Sequence, residues 1–283
     1  MKLNSIYGLM STLLLGIFLS LSAYATDMGK VINLAGKQRM LTQKMTKEAL
    51  LVAKGIDAAA NTENLKKTSA LFDKTLKGLL NGDKDLGLDK TEDKAIVEQL
   101  NKITALWTPF NESIQKVASG KADKATLKAI AEQNVPLLKA MNAAVQMYAK
   151  ASGSSLDKGV ATTINLAGKQ RMLTQKMTKE LLLVANGIDV DASKEALAKT
   201  VALFEKTLTG LIKGDADLGL TATADKDILA QLEKVKGLWT EYKPVLEKVD
   251  VSDAGLKSAA EKNLPLLKEM NAAVKMYEKA AKK

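Results

Sequence analysis

The chain has 283 residues, too many for one ordinary helical domain and comfortable for two. It contains neither Cys nor His, which removes the thiol nucleophile, the commonest general base and the usual transition-metal ligands. Lys and Arg outnumber Asp and Glu by 42 to 32, a formal net charge of +10, but aromatic residues make up only 4%; the stacking platforms of a single-strand groove are missing, and no nucleic-acid partner is expected.

Residues 1–25 read as a cleaved secretory signal. Lys2 supplies a positive n-region, Leu9 to Leu21 is apolar, and Ala23-Tyr24-Ala25 is an A-x-A cleavage site. The apolar run is shorter than the roughly 20 residues that span a bilayer and is broken by Ser11, Gly16 and Ser20. A mature periplasmic chain from Thr26, with no membrane helix, is expected.

Apolar spacing of period 3.6 then marks four helices over 28–54, 62–81, 91–118 and 123–150, and four more over 156–186, 193–213, 223–249 and 252–281. Breaks at Gly55-Ile56-Asp57, Asn81-Gly82-Asp83 and Ser119-Gly120 separate the first set, and Gly187-Ile188-Asp189 and Gly214-Asp215 repeat the first two. Connections this short make neighbours antiparallel, so the fold class is all-α: two tandem up-down-up-down four-helix bundles, over 26–151 and 152–283. Leu71, Leu76, Leu79 and Leu80, with Ile103, Leu106, Phe110 and Ile114, supply core stripes. Trp107 and Trp239 should anchor the third helices, and Pro136 and Pro265 should kink or restart the fourth. Ser152-Gly153-Ser154-Ser155 reads as the linker.

The two sets are copies. Residues 32–48, INLAGKQRMLTQKMTKE, recur letter for letter at 164–180, an offset of 132, which becomes 129 after a three-residue deletion and then matches Pro136 to Pro265 and Tyr148 to Tyr277. By contrast, 61–77 and 193–209 agree at ten of seventeen positions. On a helical wheel, Val31, Leu34, Gln38, Leu41, Met45, Ala49 and Val52 form the face that fills the bundle core. A second face carries Ile32, Gly36, Arg39, Gln43, Thr46 and Leu50, while Asn33, Lys37, Lys44, Lys47 and Glu48 are left for water. Gly36 permits a close approach, and Arg39 offers a fixed fork of donors suited to planar oxyanions. If the first helices of the two copies pack about a pseudo-twofold axis, Arg39 and Arg171 converge beside Gly36 and Gly168, and an anion between them turns repulsion into attraction. The expected ligand-binding set is therefore Arg39, Arg171, Gly36 and Gly168, with Gln43, Gln175, Ala35 and Ala167 as supporting positions.

At these residues the sequence resembles the PilJ-type sensory domain found at the N-terminus of type IV pili methyl-accepting chemotaxis transducers, which is similar to the nitrate/nitrite-sensing domains of NarX- and NarQ-type kinases. Leu71-Phe72, Gly82-Asp83, Leu106-Trp107 and Asn142 to Tyr148 extend the resemblance over both copies. It implies a four-helix bundle that pairs through its first helix, with the Gly-x-x-Arg pattern (Gly36 and Arg39, Gly168 and Arg171) holding one nitrate. Relatives of this type continue into a membrane span and a signalling module, whereas this sequence ends at Lys283. The expectation is a secreted sensing or binding module for a small oxyanion, nitrate or nitrite, read by a membrane-bound receptor or sensor kinase, with a homodimer as the alternative way to bring arginines together.

Other readings carry less. No enzyme motif, cofactor or metal site is expected; Asp83-Lys84-Asp85-Leu86-Gly87-Leu88-Asp89 begins like a calcium loop, but the required Gly and Glu are missing. Met40, Met45, Met172 and Met177 read as core filler. Asn142 and Asn271 could orient a helix or the ligand. The rival function is an assembly module of the cell envelope that binds no small molecule.

Overall fold

A computed structural model describes residues 28–152 and 157–281; the proposed signal sequence and most of the linker lie outside them. Eight helices follow in chain order: α1 (Met28–Ala53), α2 (Ala58–Asn81), α3 (Lys94–Ala118), α4 (Lys124–Ala151), α5 (Lys158–Ala185), α6 (Val190–Lys213), α7 (Lys226–Glu247) and α8 (Asp253–Ala280). Within each set of four, every helix packs on its sequence neighbours and the last returns to the first, closing an up-down-up-down bundle. The all-α tandem-bundle class expected from the sequence is what the chain adopts. Among the described residues no helix is long and apolar enough to cross a membrane.

Helix starts follow local chemistry. The side chains of Asp93, Asp123, Asp157, Asp225 and Ser252 accept backbone N–H groups of the first turns of α3, α4, α5, α7 and α8. Asp57 and Asp189 instead sit in left-handed conformation, φ 43° and 44°, and start α2 and α6 a few residues before the apolar periodicity does. Pro136 and Pro265 do not restart α4 and α8, each of which is one helix. Fully buried Ile130 and Leu137 lie on either side of Pro136, and this packing keeps α4 helical across the missing hydrogen bond. Between α2 and α3 the chain forms a small antiparallel hairpin, β1 (Gly82–Asp83) and β2 (Leu88–Lys90), where the sequence predicts only a turn.

The core of each bundle is aliphatic with one aromatic cluster. Trp107 packs on Phe72 with ring centroids 4.3 Å apart, and Trp239 on Phe204 at 4.5 Å, so both tryptophans anchor their helices as expected. Met40, Met45, Met172 and Met177 are buried core residues.

The two bundles stand side by side, with α1 against α5 as the largest helix pair contact in the molecule. Arg39 reaches Asn165 of α5, and farther along the seam Lys47 shares the Asn263 oxygen of α8 with Gln175 of α5, so contacts advance in the same sense along α1 and α5 and the pair is parallel. Side helices close the flanks: α4 touches α5 and α8 touches α1. The structure corrects the wheel at Lys47 and Glu48. Lys47 is only 3% exposed, because the face left for water in an isolated bundle is covered by the other bundle, and Glu48, 2% exposed, pairs with Lys44, which also reaches Thr68 of α2.

Candidate functional site

The seam between α1 and α5 is built from the seventeen residues present twice. Gly36 and Gly168 mark the close approach: a Cβ on Gly36 would lie 3.3 Å from Arg39 Nη2 and 3.9 Å from Arg171 Nη2, and one on Gly168 would lie 3.4 Å and 3.8 Å from the same two atoms in reverse order. Ala35 and Ala167 are fully buried beside them. Both guanidinium groups therefore converge on the glycines, each side chain 1% exposed.

Each arginine is held at two points. Arg39 Nη1 donates to Asn142 Oδ1 of its own bundle at 2.9 Å and Nη2 to the Asn165 carbonyl of the other at 3.2 Å. Arg171 mirrors this with Asn271 Oδ1 at 2.9 Å and the Asn33 carbonyl at 3.3 Å. Neither Nε–H has a partner, and among the described residues neither arginine forms a salt bridge with a carboxylate. Burial pushes Arg39 down to about 9, with repulsion from Arg171 adding to the fall. Burial lowers Arg171 to about 10, with Glu278 acting in the opposite direction. Half-buried Lys37 and Lys169 are lowered by burial and then by Arg171 and Arg39 respectively. The seam is buried, positively charged and incompletely hydrogen-bonded, which is the chemistry that accepts an anion.

Gln43 and Gln175, expected as supporting positions, use their amide nitrogens on the fourth helices while their Oε1 atoms stay unpaired. One turn beyond the arginines, Gln43 Nε2 donates to Asn134 Oδ1 at 2.9 Å and Gln175 Nε2 to Asn263 Oδ1 at 2.7 Å. The same two asparagine oxygens take a hydrogen bond from the opposite bundle: Lys179 Nζ reaches Asn134 at 3.4 Å and Lys47 Nζ reaches Asn263 at 3.1 Å. Burial pushes both lysines down to about 8, against the opposing pull of Glu48 and Glu180. Sequence reasoning missed this cross-bundle layer; its one visible signal is an Asn two residues before Pro136 and again two before Pro265. It also left open the role of Asn142 and Asn271, which hold the arginines.

Elsewhere the structure is plainer. Clefts of about 240 and 320 Å³ open at the bundle ends around Tyr148 and Tyr277, away from the arginines. In the acidic loop, Asp83 Oδ1 accepts the Leu86 N–H at 2.9 Å and its carboxylate faces Lys74, and among the described residues no cluster of acids is arranged for a metal.

Comparison with known proteins gives a consistent picture. The family described as Type IV pili methyl-accepting chemotaxis transducer N-term, PilJ, matches residues 20–132 and again 154–264. The methyl-accepting chemotaxis protein McpN of Pseudomonas aeruginosa is 35% identical over 111 residues, 38% of this chain and 20% of that protein. The putative methyl-accepting chemotaxis protein AlkN of Alcanivorax borkumensis is 24% identical over 234 residues, 81% of this chain and 32% of its own length. The chain thus matches about a fifth to a third of the length of these curated relatives. Among solved structures, the ligand-binding domain of the P. aeruginosa nitrate receptor McpN is 34% identical, covering 41% of this chain and 92% of that domain with a TM-score of 0.36.

Proposed function

We propose, from the premise that this chain belongs to the PilJ family through both of its halves, that it is an exported periplasmic module which binds one small oxyanion of the nitrate type between α1 and α5. Arg39 and Arg171 supply the charge, Gly36 and Gly168 the space, and Asn142 and Asn271 hold the guanidinium groups in place. The observation that carries this reading is the pair of buried guanidinium groups, without a carboxylate partner and with both Nε–H groups free, at one point of the seam. The nitrate receptor among its relatives supports the ligand class. Binding, not turnover, is the role. A membrane-bound receptor or kinase would read the ligand through its effect on how tightly the two bundles pack, which requires different affinities for two packings.

Calorimetric titration with nitrate, nitrite, chloride and sulfate in identical buffer tests the reading. Saturable nitrate binding at one anion per chain, lost in the Arg39→Ala/Arg171→Ala double variant with the helical spectrum intact, is the expected result. No heat with any anion, and a melting temperature unmoved by high nitrate, would leave the seam as an assembly surface alone.

A further inference from the structure

The seam is symmetric over the seventeen residues that α1 and α5 share, 32–48 and 164–180, and asymmetric in part of what α4 and α8 contribute. Asn142 and Asn271 are equivalent, but at the same offset Gln146 corresponds to Lys275 and Ala149 to Glu278. Asn271, Lys275 and Glu278 are spaced at four and three residues and so share one face of α8. Asn271 accepts from Arg171, and Glu278 crosses to the first bundle: its Oε2 accepts from Asn33 Nδ2 at 2.5 Å. The Asn33 carbonyl is the acceptor of Arg171 Nη2. A carboxylate therefore stands one residue away from the Arg171 half of the site, with nothing corresponding to it on the Arg39 half, where Ala149 offers only a methyl group.

We infer, building on the anion reading above, that Glu278 sets the charge class of the ligand as a single univalent anion and turns divalent oxyanions away. Two buried guanidinium groups and the one carboxylate bonded beside them sum to a single positive charge among the groups fixed at the ligand. A univalent anion cancels it; a divalent one leaves an uncompensated negative charge where water is excluded, and meets the carboxylate repulsion twice over. Lys37, Lys169 and Glu278 are all half-buried and Lys275 is exposed, but Glu278 is bonded to Asn33, the residue whose carbonyl holds Arg171, so its charge is fixed at the edge of the site. The influence of Glu278 on the site is visible in Arg171, which the carboxylate keeps more basic than burial alone would. A site formed by two identical chains carries each charge twice, giving zero or two such carboxylates. A tandem chain can carry one.

The test compares the wild-type chain with Glu278→Gln, which keeps an oxygen to accept from Asn33, and with Ala149→Glu, which places a carboxylate beside the Arg39 half. Nitrate and sulfate are titrated calorimetrically into each. Glu278→Gln should bind nitrate about three- to tenfold more tightly and acquire measurable sulfate binding; Ala149→Glu should bind nitrate more weakly by a similar factor. Wild-type nitrate binding with Glu278→Gln unchanged within twofold, and sulfate still absent, overturns this inference and leaves the anion reading standing. No anion binding in any of the three proteins overturns both.

Discussion

Arg39 and Arg171 are buried cations with no salt bridge to a carboxylate among the described residues, and the glycines beside them are the residues through which function and stability can be separated. Alanine is favoured over glycine inside a helix by about 1 kcal/mol, and the added Cβ needs the neighbouring guanidinium to move only slightly. The Gly36→Ala/Gly168→Ala variant should therefore melt at the same temperature as the wild type or higher, yet bind nitrate at least about tenfold more weakly because the space between the arginines is filled. A melting point several degrees lower, or unchanged affinity, would count against the glycines as the ligand's space. Lys47 and Lys179 make a second residue-scale prediction. Their folded values of about 8 lie below the ordinary 10.5, so between these pH values the unfolded chain still holds protons that the folded chain has released. Stability of the ligand-free protein should rise as pH goes from about 7.5 to 9.5, and Lys47→Met/Lys179→Met should flatten that rise; thermal melting across the range measures both. The arginine pair was legible in the sequence because Gly-x-x-Arg is spelled identically twice. The lysine layer was not, because a helical wheel has no knowledge of a second helix and assigns water to any face that its own bundle leaves bare.

Among the elements, the clearest contrasts come from positions where the two copies solve the same problem differently. Trp107 Nε1 donates to Asp73 Oδ1 at 3.2 Å, but the residue corresponding to Asp73 is Glu205, which pairs with Lys243, and Trp239 Nε1 is buried without an acceptor. Replacement by Phe removes a similar area in both copies, so Trp107→Phe should cost more than Trp239→Phe by about 1 kcal/mol, the difference reporting the hydrogen bond. Denaturant melts of the two single variants would reveal this, and equal losses would contradict it. The end of α7 offers another case. The first bundle turns out of α3 through Gly120 at φ 71°, whereas after the three-residue deletion the second turns through Val249 at φ 48°, a left-handed conformation that a β-branched side chain resists. Val249→Asn should stabilise the protein by about 1 kcal/mol, less whatever half-buried Val249 contributes by packing. Helix number, order and most boundaries could be read from apolar periodicity and from Gly, Asn and Asp at the breaks. The β1–β2 hairpin and the early starts of α2 and α6 could not, since two- and three-residue strands carry no period and Asp57 caps its helix by backbone conformation instead of by a side-chain bond.

For the whole molecule, the governing feature is the parallel α1–α5 seam, with charged groups buried along it and, among the described residues, no salt bridge to its arginines. Ligand should tighten this seam. Hydrogen exchange of backbone amides in α1 and α5 is expected to slow on nitrate addition while α3, which packs mainly on α2 and α4, stays unchanged; uniform slowing would point to global stabilisation alone. Because both halves of the site belong to one chain, its assembly is also a unimolecular event. Two separate bundles that met only through such a seam would show a ligand response that weakened on dilution, as the partners fell below their dissociation constant. The short connection from Ala151 to Lys158 keeps the second bundle at an effective concentration of about millimolar or above whatever the cellular abundance. The dose–response curve should therefore be the same for a protein present at a few copies per cell or at thousands, reporting the anion outside and not the expression level.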